Sequence, residues 1–268
     1  MRIVVWNCRM ALAKKRDLLY QLRPDIAVIP ECSHESMKVC KEDGFDTRWW
    51  GANQHKGLGV LAAKPYTLEN LTSAGRRPQS QTLECESGTR RPLPQRAPTQ
   101  KWIAPVQVRG PRDFLLLSVW ACPVGMRREQ NYVGQTYDAI VRHPKWFAKN
   151  MPTVICGDFN SSPVFDPGRK KKTHSNVVQL LADRGLASAY HDFFSEPHGA
   201  ETRPTYYFWH RLERSFHIDY IFLPRAWMQH VAAVEVGAYS RWRPASDHMP
   251  VVVEVADVAS PQPVTSRP

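Results

Sequence analysis

Residues 153–160 read Thr-Val-Ile-Cys-Gly-Asp-Phe-Asn, a short apolar run that ends in polar side chains. The β-branched residues at its start predict a strand, and Gly157 marks its end. Asp158 and Asn160 would then follow a buried strand directly. An Asp or Asn in that position most often only forms a turn. Whether these two residues have a functional role therefore depends on which residues end the other strands.

Four further predicted strands also carry polar side chains at one end. Their blocks are Trp6-Asn7-Cys8-Arg9, Pro30-Glu31, His217-Ile218-Asp219-Tyr220 and Ser246-Asp247-His248-Met249-Pro250. Each block alone is explained by a turn, a helix entry or a solvated charge. Strands that reach one edge of a sheet would instead gather four carboxylates, two amides and an imidazole, from Asn7, Glu31, Asp158, Asn160, Asp219, Asp247 and His248. Such an oxygen-rich cluster suits Mg²⁺ or Mn²⁺ rather than zinc.

Predicted strands and helices alternate along the rest of the chain. Helical periodicity is clearest at 12–22, which ends before Pro24. A second helix is predicted at about 130–141, and a third at 175–184, opening after Thr173 or Ser175 as cap and stopping at Gly185. Strands are predicted at 2–6, 26–30, 58–62, 103–108, 114–119, 153–156, 218–223 and 251–255. This interleaving favours an α/β or α+β fold over an all-β sandwich.

The composition limits the class of protein. The 268 residues are 43% hydrophobic and 23% charged, which excludes a disordered chain. No window approaches the ~18 apolar residues of a membrane span, and no signal-peptide core is found, so we expect a soluble, cytoplasmic protein. Six scattered cysteines predict reduced thiols rather than disulfides or a zinc cluster. The formal net charge of +11 favours polyanionic partners such as nucleic acid or anionic lipid.

Two segments differ from the rest in composition. Residues 74–101 carry five arginines and four prolines, and they predict a long surface loop because strand-like sequence resumes on both sides. The Pro-rich residues 259–268 predict a disordered tail. No internal repeat is found, so residues 1–258 are predicted to form a single domain.

Taken in order, the five polar blocks resemble the motifs of the endonuclease/exonuclease/phosphatase superfamily. That superfamily includes deoxyribonuclease I, apurinic-site repair nucleases, sphingomyelinases and inositol-polyphosphate 5-phosphatases. The similarity runs from Trp6 to Val253. It implies a deoxyribonuclease I-like domain over 1–258, with a four-layer α/β (α+β) sandwich of two mixed, mostly antiparallel β-sheets flanked by helices.

The resemblance also implies roles for the metal-binding and water-activating residues. Glu31 would be the main Mg²⁺ ligand, with Asn7 alongside it and Asp247 contributing, and the ion would act as a Lewis acid on a phosphate oxygen. Asp158 would orient or deprotonate the attacking water, and Asn160 would hydrogen-bond the phosphoryl group.

His248 and Asp219 complete the implied catalytic set. His248 would contact the scissile phosphate, and Asp219 would accept the other ring N–H and fix the imidazole. The implied reaction is in-line hydrolysis of a phosphoester without a covalent intermediate.

The sequence departs from the family where a leaving-group acid is expected. Related enzymes carry a His or a Tyr after the strand at 114–119, and this chain has Trp120 and Ala121 there. Neither side chain can donate a proton as His or Tyr would. Either no acid is needed, or another residue supplies it, for which His174, His191 and His217 are the candidates.

Basic and aromatic residues indicate the substrate. Arg9 matches the deoxyribonuclease I pattern, in which an Arg faces backbone phosphates, and a basic loop follows Asn160. The expected phosphate-binding residues are Arg9, Arg169, Lys170, Lys171, Lys172 and His174. The alternative for that loop is a solvated turn. Aromatic residues that could stack on bases, or simply pack in the core, are Tyr206, Tyr207, Trp209 and Trp242.

These observations predict a Mg²⁺-dependent phosphodiester hydrolase, a nuclease acting on DNA or RNA. One alternative is a phosphatase or phosphodiesterase on a small or lipid phosphoester. Another is a nucleic-acid-binding module on a decayed nuclease fold, which the missing His or Tyr favours and the retained Glu31 and Asp158 oppose. No membrane contact is expected, and the oligomeric state stays open, with a monomer favoured. The preference between DNA and RNA, and between endo and exo cleavage, stays open.

Overall fold

The computed structural model describes residues 1–71, 103–122, 132–148, 151–166, 168 and 172–256. The predicted loop at 74–101 and the predicted tail at 259–268 lie outside these residues. So do the first two residues of the helix expected at 130–141.

The first sheet has six strands. Across the sheet these are β13 (Val231–Val236), β14 (Val251–Val255), β1 (Arg2–Val5), β2 (Ile26–Cys32), β4 (Lys56–Ala62) and β3 (Asp46–Asn53). Only β1 and β2 pair in parallel, and every other neighbouring pair is antiparallel. The carboxyl ends of β1 and β2 therefore reach the same edge, where Asn7 and Glu31 stand.

The second sheet repeats this plan. Its strands, in order across the sheet, are β5 (Thr67–Asn70), β6 (Ile103–Arg109), β7 (Phe114–Trp120), β8 (Thr153–Asp158), β12 (Asp219–Pro224) and β9 (Leu186–Ser188). Only β7 and β8 are parallel. A separate two-stranded ribbon joins β10 (Tyr206–Tyr207) to β11 (Ser215–Phe216).

Helices flank the two sheets. They are α1 (Leu12–Tyr20), α2 (His34–Glu42), α3 (Val133–Arg142), α4 (His174–Asp183), α5 (Ala189–Phe194) and α6 (Tyr239–Trp242). The predicted cap of α4 is confirmed, since the Thr173 side chain accepts a hydrogen bond from the Asn176 backbone N–H. Short 3₁₀ turns occupy Pro144–Phe147, Pro163–Phe165, Phe208–His210 and Arg225–His230.

The alternation of side chains along β1 shows how the layers are built. Ile3 and Val5 face the core between the two sheets, together with Val154 and Cys156 of β8. Residues of the opposite parity face outward, toward α1 and α2 on the first sheet and toward α3 and α4 on the second. The fold is the predicted four-layer sandwich of two mixed, mostly antiparallel sheets flanked by helices.

Gly157, predicted to end strand β8, lies next to Val119 of the neighbouring strand β7. Its φ is +145°, and a Cβ added there would lie 1.9 Å from the Val119 carbonyl oxygen of β7. Only glycine allows this approach and this conformation. The glycine therefore lets β8 continue as far as Asp158.

Two predictions from composition can be compared with the described residues. Cys8, Cys32, Cys40, Cys122 and Cys156 are free thiols, as expected. Among the helices that the structure describes, none is long and apolar enough to cross a membrane.

Candidate active site

Asp158 is fully buried at the end of β8 and accepts hydrogen bonds on both carboxylate oxygens. Its Oδ2 receives Asn7 Nδ2 at 3.0 Å and Asn160 Nδ2 at 2.9 Å, and its Oδ1 receives the Asn160 backbone N–H at 2.8 Å. Asn160 adopts φ +46°, a conformation that a non-glycine residue rarely takes. Local strain of this kind concentrates at functional sites, and here it brings the Asn160 amide back onto Asp158.

Asp219 and His248 form the second half of the site. Asp219 begins β12 directly opposite Asp158 in the antiparallel register, and its Oδ2 lies 2.9 Å from His248 Nδ1. Its Oδ1 is buried and has no hydrogen-bond partner within the part of the chain that the structure describes. Polar atoms of Asp158, Asp219 and His248 lie within 4.8 Å of one another.

The two acidic residues and the imidazole shift one another's protonation. Burial and the nearby Asp219 carboxylate raise the pKa of Asp158 well above its usual range. Burial alone would lower the pKa of His248, but the charge and hydrogen bond of Asp219 outweigh it and raise that pKa to about 9. The site therefore holds a protonated imidazole beside a carboxylate that accepts a proton near neutral pH.

Glu31 lies at a β-bulge in β2, which sets the direction of its side chain. The pairing of β2 with β4 shifts register between Pro30 and Cys32, and Glu31, at the bulge, has φ +60°. Its carboxylate lies 3.0 Å from Lys56 Nζ.

Asn7 and Asp247 are tied to the same edge through Arg9. Asn7 Oδ1 accepts the Arg9 backbone N–H at 3.0 Å, and Arg9 Nε lies 3.8 Å from Asp247 Oδ2. Burial, and then the charges of Asp247, Asp158 and Glu31 among others, raise the pKa of Tyr206 to about 12.

The donor set fits a hard divalent cation. It offers carboxylate oxygens from three strand ends and an amide oxygen, and one buried carboxylate oxygen of Asp219 has no hydrogen-bond partner among the residues that the structure describes. Mg²⁺ prefers oxygen ligands of this kind and takes only one or two carboxylates directly. Glu31, Asn7 and Asp247 are accordingly suited to hold the ion.

The predicted phosphate-binding residues are only partly brought to this edge. Arg9 is there, with a side chain about half exposed. Lys172 instead pairs with Asp138 of α3, at 2.8 Å, and His174 is completely buried. The placement of His174 contradicts its predicted position on the rim, because His174 begins α4 on the inward face that also carries Val177.

Arg169, Lys170 and Lys171 lie outside the described residues.

The predicted position of the leaving-group acid holds no acid. Trp120 pairs with Asp158 in the β7–β8 register and is 5% exposed, and the Ala121 backbone N–H donates to the Asp158 carbonyl oxygen. The three histidines proposed instead, His174, His191 and His217, meet in a separate cluster. The His191 and His217 rings are in contact, and His174 Nε2 lies within hydrogen-bond distance of His198 Nδ1 in the same cluster.

Sequence reasoning overlooked three residues that organise the site. Thr205 Oγ1 accepts the backbone N–H groups of Ile218 and Asp219, and Ser246 Oγ donates to the Asn7 carbonyl oxygen. Tyr206 packs its ring against His248, with 4.6 Å between ring centres. The sequence predicts base stacking or core packing for Tyr206, and no local signal connects it with the distant Ser-Asp-His block.

The aromatic residues predicted to stack on bases divide into two groups. Tyr207 and Trp242 are buried in the core. Trp209 is 64% exposed at the tip of the β10–β11 ribbon, with the Arg211 and Arg214 guanidinium groups 5.8 and 5.3 Å from its ring centre. Only Trp209 is placed as an accessible stacking surface.

Solved structures with the same fold include nucleic-acid enzymes. The 3′ phosphatase NExo from Neisseria, bound to a product DNA hairpin, aligns with a TM-score of 0.61, 18% identity and coverage of 96% of this chain and 99% of that chain. An AP endonuclease from Archaeoglobus fulgidus aligns with a TM-score of 0.67 and 13% identity, and the alignment covers 96% of this chain and 100% of that chain. Truncated TDP2 from Caenorhabditis elegans aligns with a TM-score of 0.58 and 11% identity, covering 94% of this chain and 96% of that chain. At these identities the likeness establishes the fold.

A comparison with curated protein sequences gives no match. The family model for the endonuclease/exonuclease/phosphatase family, however, matches residues 4–248, which include the first four polar blocks and the fifth as far as His248. With the four-layer sandwich and the clustered carboxylates, this match shows that the chain belongs to the endonuclease/exonuclease/phosphatase family.

Proposed function

We propose that this protein is a Mg²⁺-dependent phosphodiester hydrolase that cleaves nucleic acid by in-line attack of water. The observation that carries the proposal is the buried Asp158, held by three amide hydrogen bonds beside the Asp219–His248 pair. A bound Mg²⁺ would supply Lewis-acid stabilisation of negative charge on the phosphate.

The protein's own residues perform the proton transfers. Asp158 orients the attacking water and takes its proton, and its raised pKa suits a general base at neutral pH. Asn7 and Asn160 fix the carboxylate so that its position does not change during the reaction. His248, kept protonated by Asp219, places a positive charge against the scissile phosphate.

Tyr206 is the residue to which we assign protonation of the leaving oxygen. Its ring lies against His248, and its raised pKa keeps the phenol protonated and able to donate. This assignment resolves the absence of an acid at Trp120 and Ala121.

Charge and shape near the site support a polynucleotide substrate. A cavity of about 350 Å³ beside Asp247 is lined by Arg9, His210, Arg243, Pro244 and Ala245. Its two guanidinium groups suit phosphate. Trp209 at the ribbon tip offers a surface for stacking on an unpaired base. A related fold, the Neisseria NExo enzyme, is described in complex with DNA.

The test is conversion of supercoiled plasmid to nicked circle, with Mg²⁺ and with EDTA. Asp158→Asn should lower the nicking rate by roughly 10²- to 10⁴-fold, the range expected when a general base is lost. Asp183→Asn, which changes an exposed carboxylate on α4, should leave the rate unchanged. Full activity in Asp158→Asn would overturn the proposed mechanism.

Parallel assays separate the possible substrates. Single-stranded RNA, DNA with 3′-phosphate ends and a small phosphodiester are offered under the same conditions. Turnover of the small phosphodiester alone would replace the nuclease with a phosphodiesterase of small substrates. Binding of DNA without turnover of any substrate would identify a binding module.

A further inference from the structure

Four histidines and a glutamate meet beside the active site, where the proposed reaction uses none of them. The members of this histidine cluster are His174, His191, His198, Glu201 and His217. They come from the start of α4, from α5, from the segment after α5 and from the segment before β12.

Three members place potential ligand atoms close together. Nitrogen or oxygen atoms of His191, His198 and Glu201 lie within 4.8 Å of one another. His191 Nε2 is 2.9 Å from Glu201 Oε1, and the side chains of these two residues are 8% and 5% exposed. The rings of His191 and His198 are nearly parallel, with 3.4 Å between their centres.

Hydrogen bonds to the second ring nitrogen orient several of these imidazoles. His191 Nδ1 lies 2.7 Å from Ser188 Oγ, which leaves Nε2 for Glu201. His174 Nδ1 lies 3.0 Å from Ser161 Oγ, and its Nε2 lies 3.3 Å from His198 Nδ1. Histidines that bind metal ions are held in the same way, by a partner on the nitrogen that does not face the ion.

His217 provides an independent indication of a missing partner. Its Nδ1 must carry the proton, since it donates to the Arg203 carbonyl oxygen at 2.9 Å. Its Nε2 therefore carries a lone pair, and that atom is buried without a hydrogen-bond partner among the described residues. Because buried polar atoms almost always have partners, this lone pair calls for a donor or a cation that the described residues do not supply.

We propose that His191, His198 and Glu201 form a second metal site, for a transition-metal ion of the Zn²⁺ class. Two imidazoles and one carboxylate are an established zinc donor set, which leaves a fourth position for water. Mg²⁺ prefers oxygen ligands, so the two sites select different ions. Since the His191 and His198 rings are stacked, binding requires one of them to tilt.

The experiment strips the full chain with a chelator, adds Zn²⁺ in excess Mg²⁺, removes unbound ions and measures zinc by elemental analysis. Wild type should keep one equivalent of zinc per chain. His191→Gln and Glu201→Gln should lose it, whereas Glu31→Gln should keep it because Glu31 belongs to the other site. His55→Gln, which changes an exposed histidine, is the matched control and should also keep it.

A second readout keeps the test decisive if a variant folds poorly. Co²⁺ bound to wild type in place of zinc should give the intense visible absorption of a four-coordinate ion, and Zn²⁺ should remove that absorption. Failure of wild type to hold zinc, or equal zinc retention in correctly folded His191→Gln and Glu201→Gln, would overturn the proposal. Neither readout depends on phosphodiester hydrolysis, so a failure here leaves the proposed function untouched.

Discussion

Asp219 is the residue that keeps His248 protonated. Replacing it with Asn removes the charge that outweighs burial, so the pKa of His248 should fall from about 9 to below its ordinary value of about 6.5. Histidine NMR titration in EDTA measures this directly. Asp183→Asn serves as control and should leave the titration unchanged.

The same pair makes stability depend on pH with a defined sign. The folded-state pKa of His248 is raised, so the pair stabilises the fold fully below about pH 6.5, and this contribution is lost as the pH rises through about 9. The free energy of unfolding of wild type should fall over that interval more than that of Asp219→Asn. Equal pH profiles for the two proteins would contradict this account of the pair.

The loss of Tyr206 should slow hydrolysis most for substrates whose leaving oxygen needs a proton. Tyr206→Phe should slow hydrolysis of a phosphodiester with an alkoxide leaving group by roughly 10²-fold, the low end for loss of a general acid. It should barely change hydrolysis of a nitrophenyl ester, whose leaving group is stable as an anion. Tyr207→Phe, at the buried neighbouring tyrosine, is the control. Equal slowing of both substrates would assign Tyr206 a positioning role instead.

At the scale of the elements, the end of β8 depends on Gly157. Gly157→Ala would place a methyl group against the Val119 carbonyl oxygen and force an unfavourable φ, so we expect destabilisation of about 3 kcal/mol or more. Gly185→Ala meets no neighbour within 4 Å at φ +79° and should cost only about 1 kcal/mol, the strain of the left-handed conformation. Denaturant unfolding of both variants separates the clash from the strain.

The elements that the sequence predicted are those with a strong burial pattern. All eight predicted strands are present, because each is a short apolar run buried on both faces or nearly so. The strands that were not predicted are β3, β5, β9, β10, β11 and β13. β3 is half-buried along most of its length, β9 has three residues, and β10 and β11 have two each, so these four show no recognisable period. The burial of His174 could have been predicted from the helical spacing, which places it on the same face of α4 as Val177 and Leu181.

At the scale of the whole molecule, the site is built from residues that are far apart in the chain. Trp6 Nε1 donates to the His248 carbonyl oxygen across 242 positions, and Asn7 reaches Asp158 across 151. The order of the polar blocks predicted that they would meet. The positions of Lys172 and Tyr206 could not be predicted, because they depend on packing of α3 and of the β10–β11 ribbon.

The net charge of +11 allows a test of the substrate class. Affinity for DNA depends on the release of cations from phosphates, so log Kd should rise with log salt concentration by about 0.9 for each phosphate contact. Asp158→Asn, which binds without rapid cleavage, is the background for measuring this slope by fluorescence anisotropy. Adding Arg9→Gln should reduce the slope by about one.

Arg109→Gln is the matched control for that slope. Arg109 is already paired with Glu69 and Asp113, so it has little free charge to offer a phosphate, and its loss should leave the slope unchanged. A slope that stays flat in the background variant would mean that phosphates beyond the scissile one are not contacted. That result would assign the arginine-lined cavity to a small phosphoester, because a single phosphate releases few cations on binding.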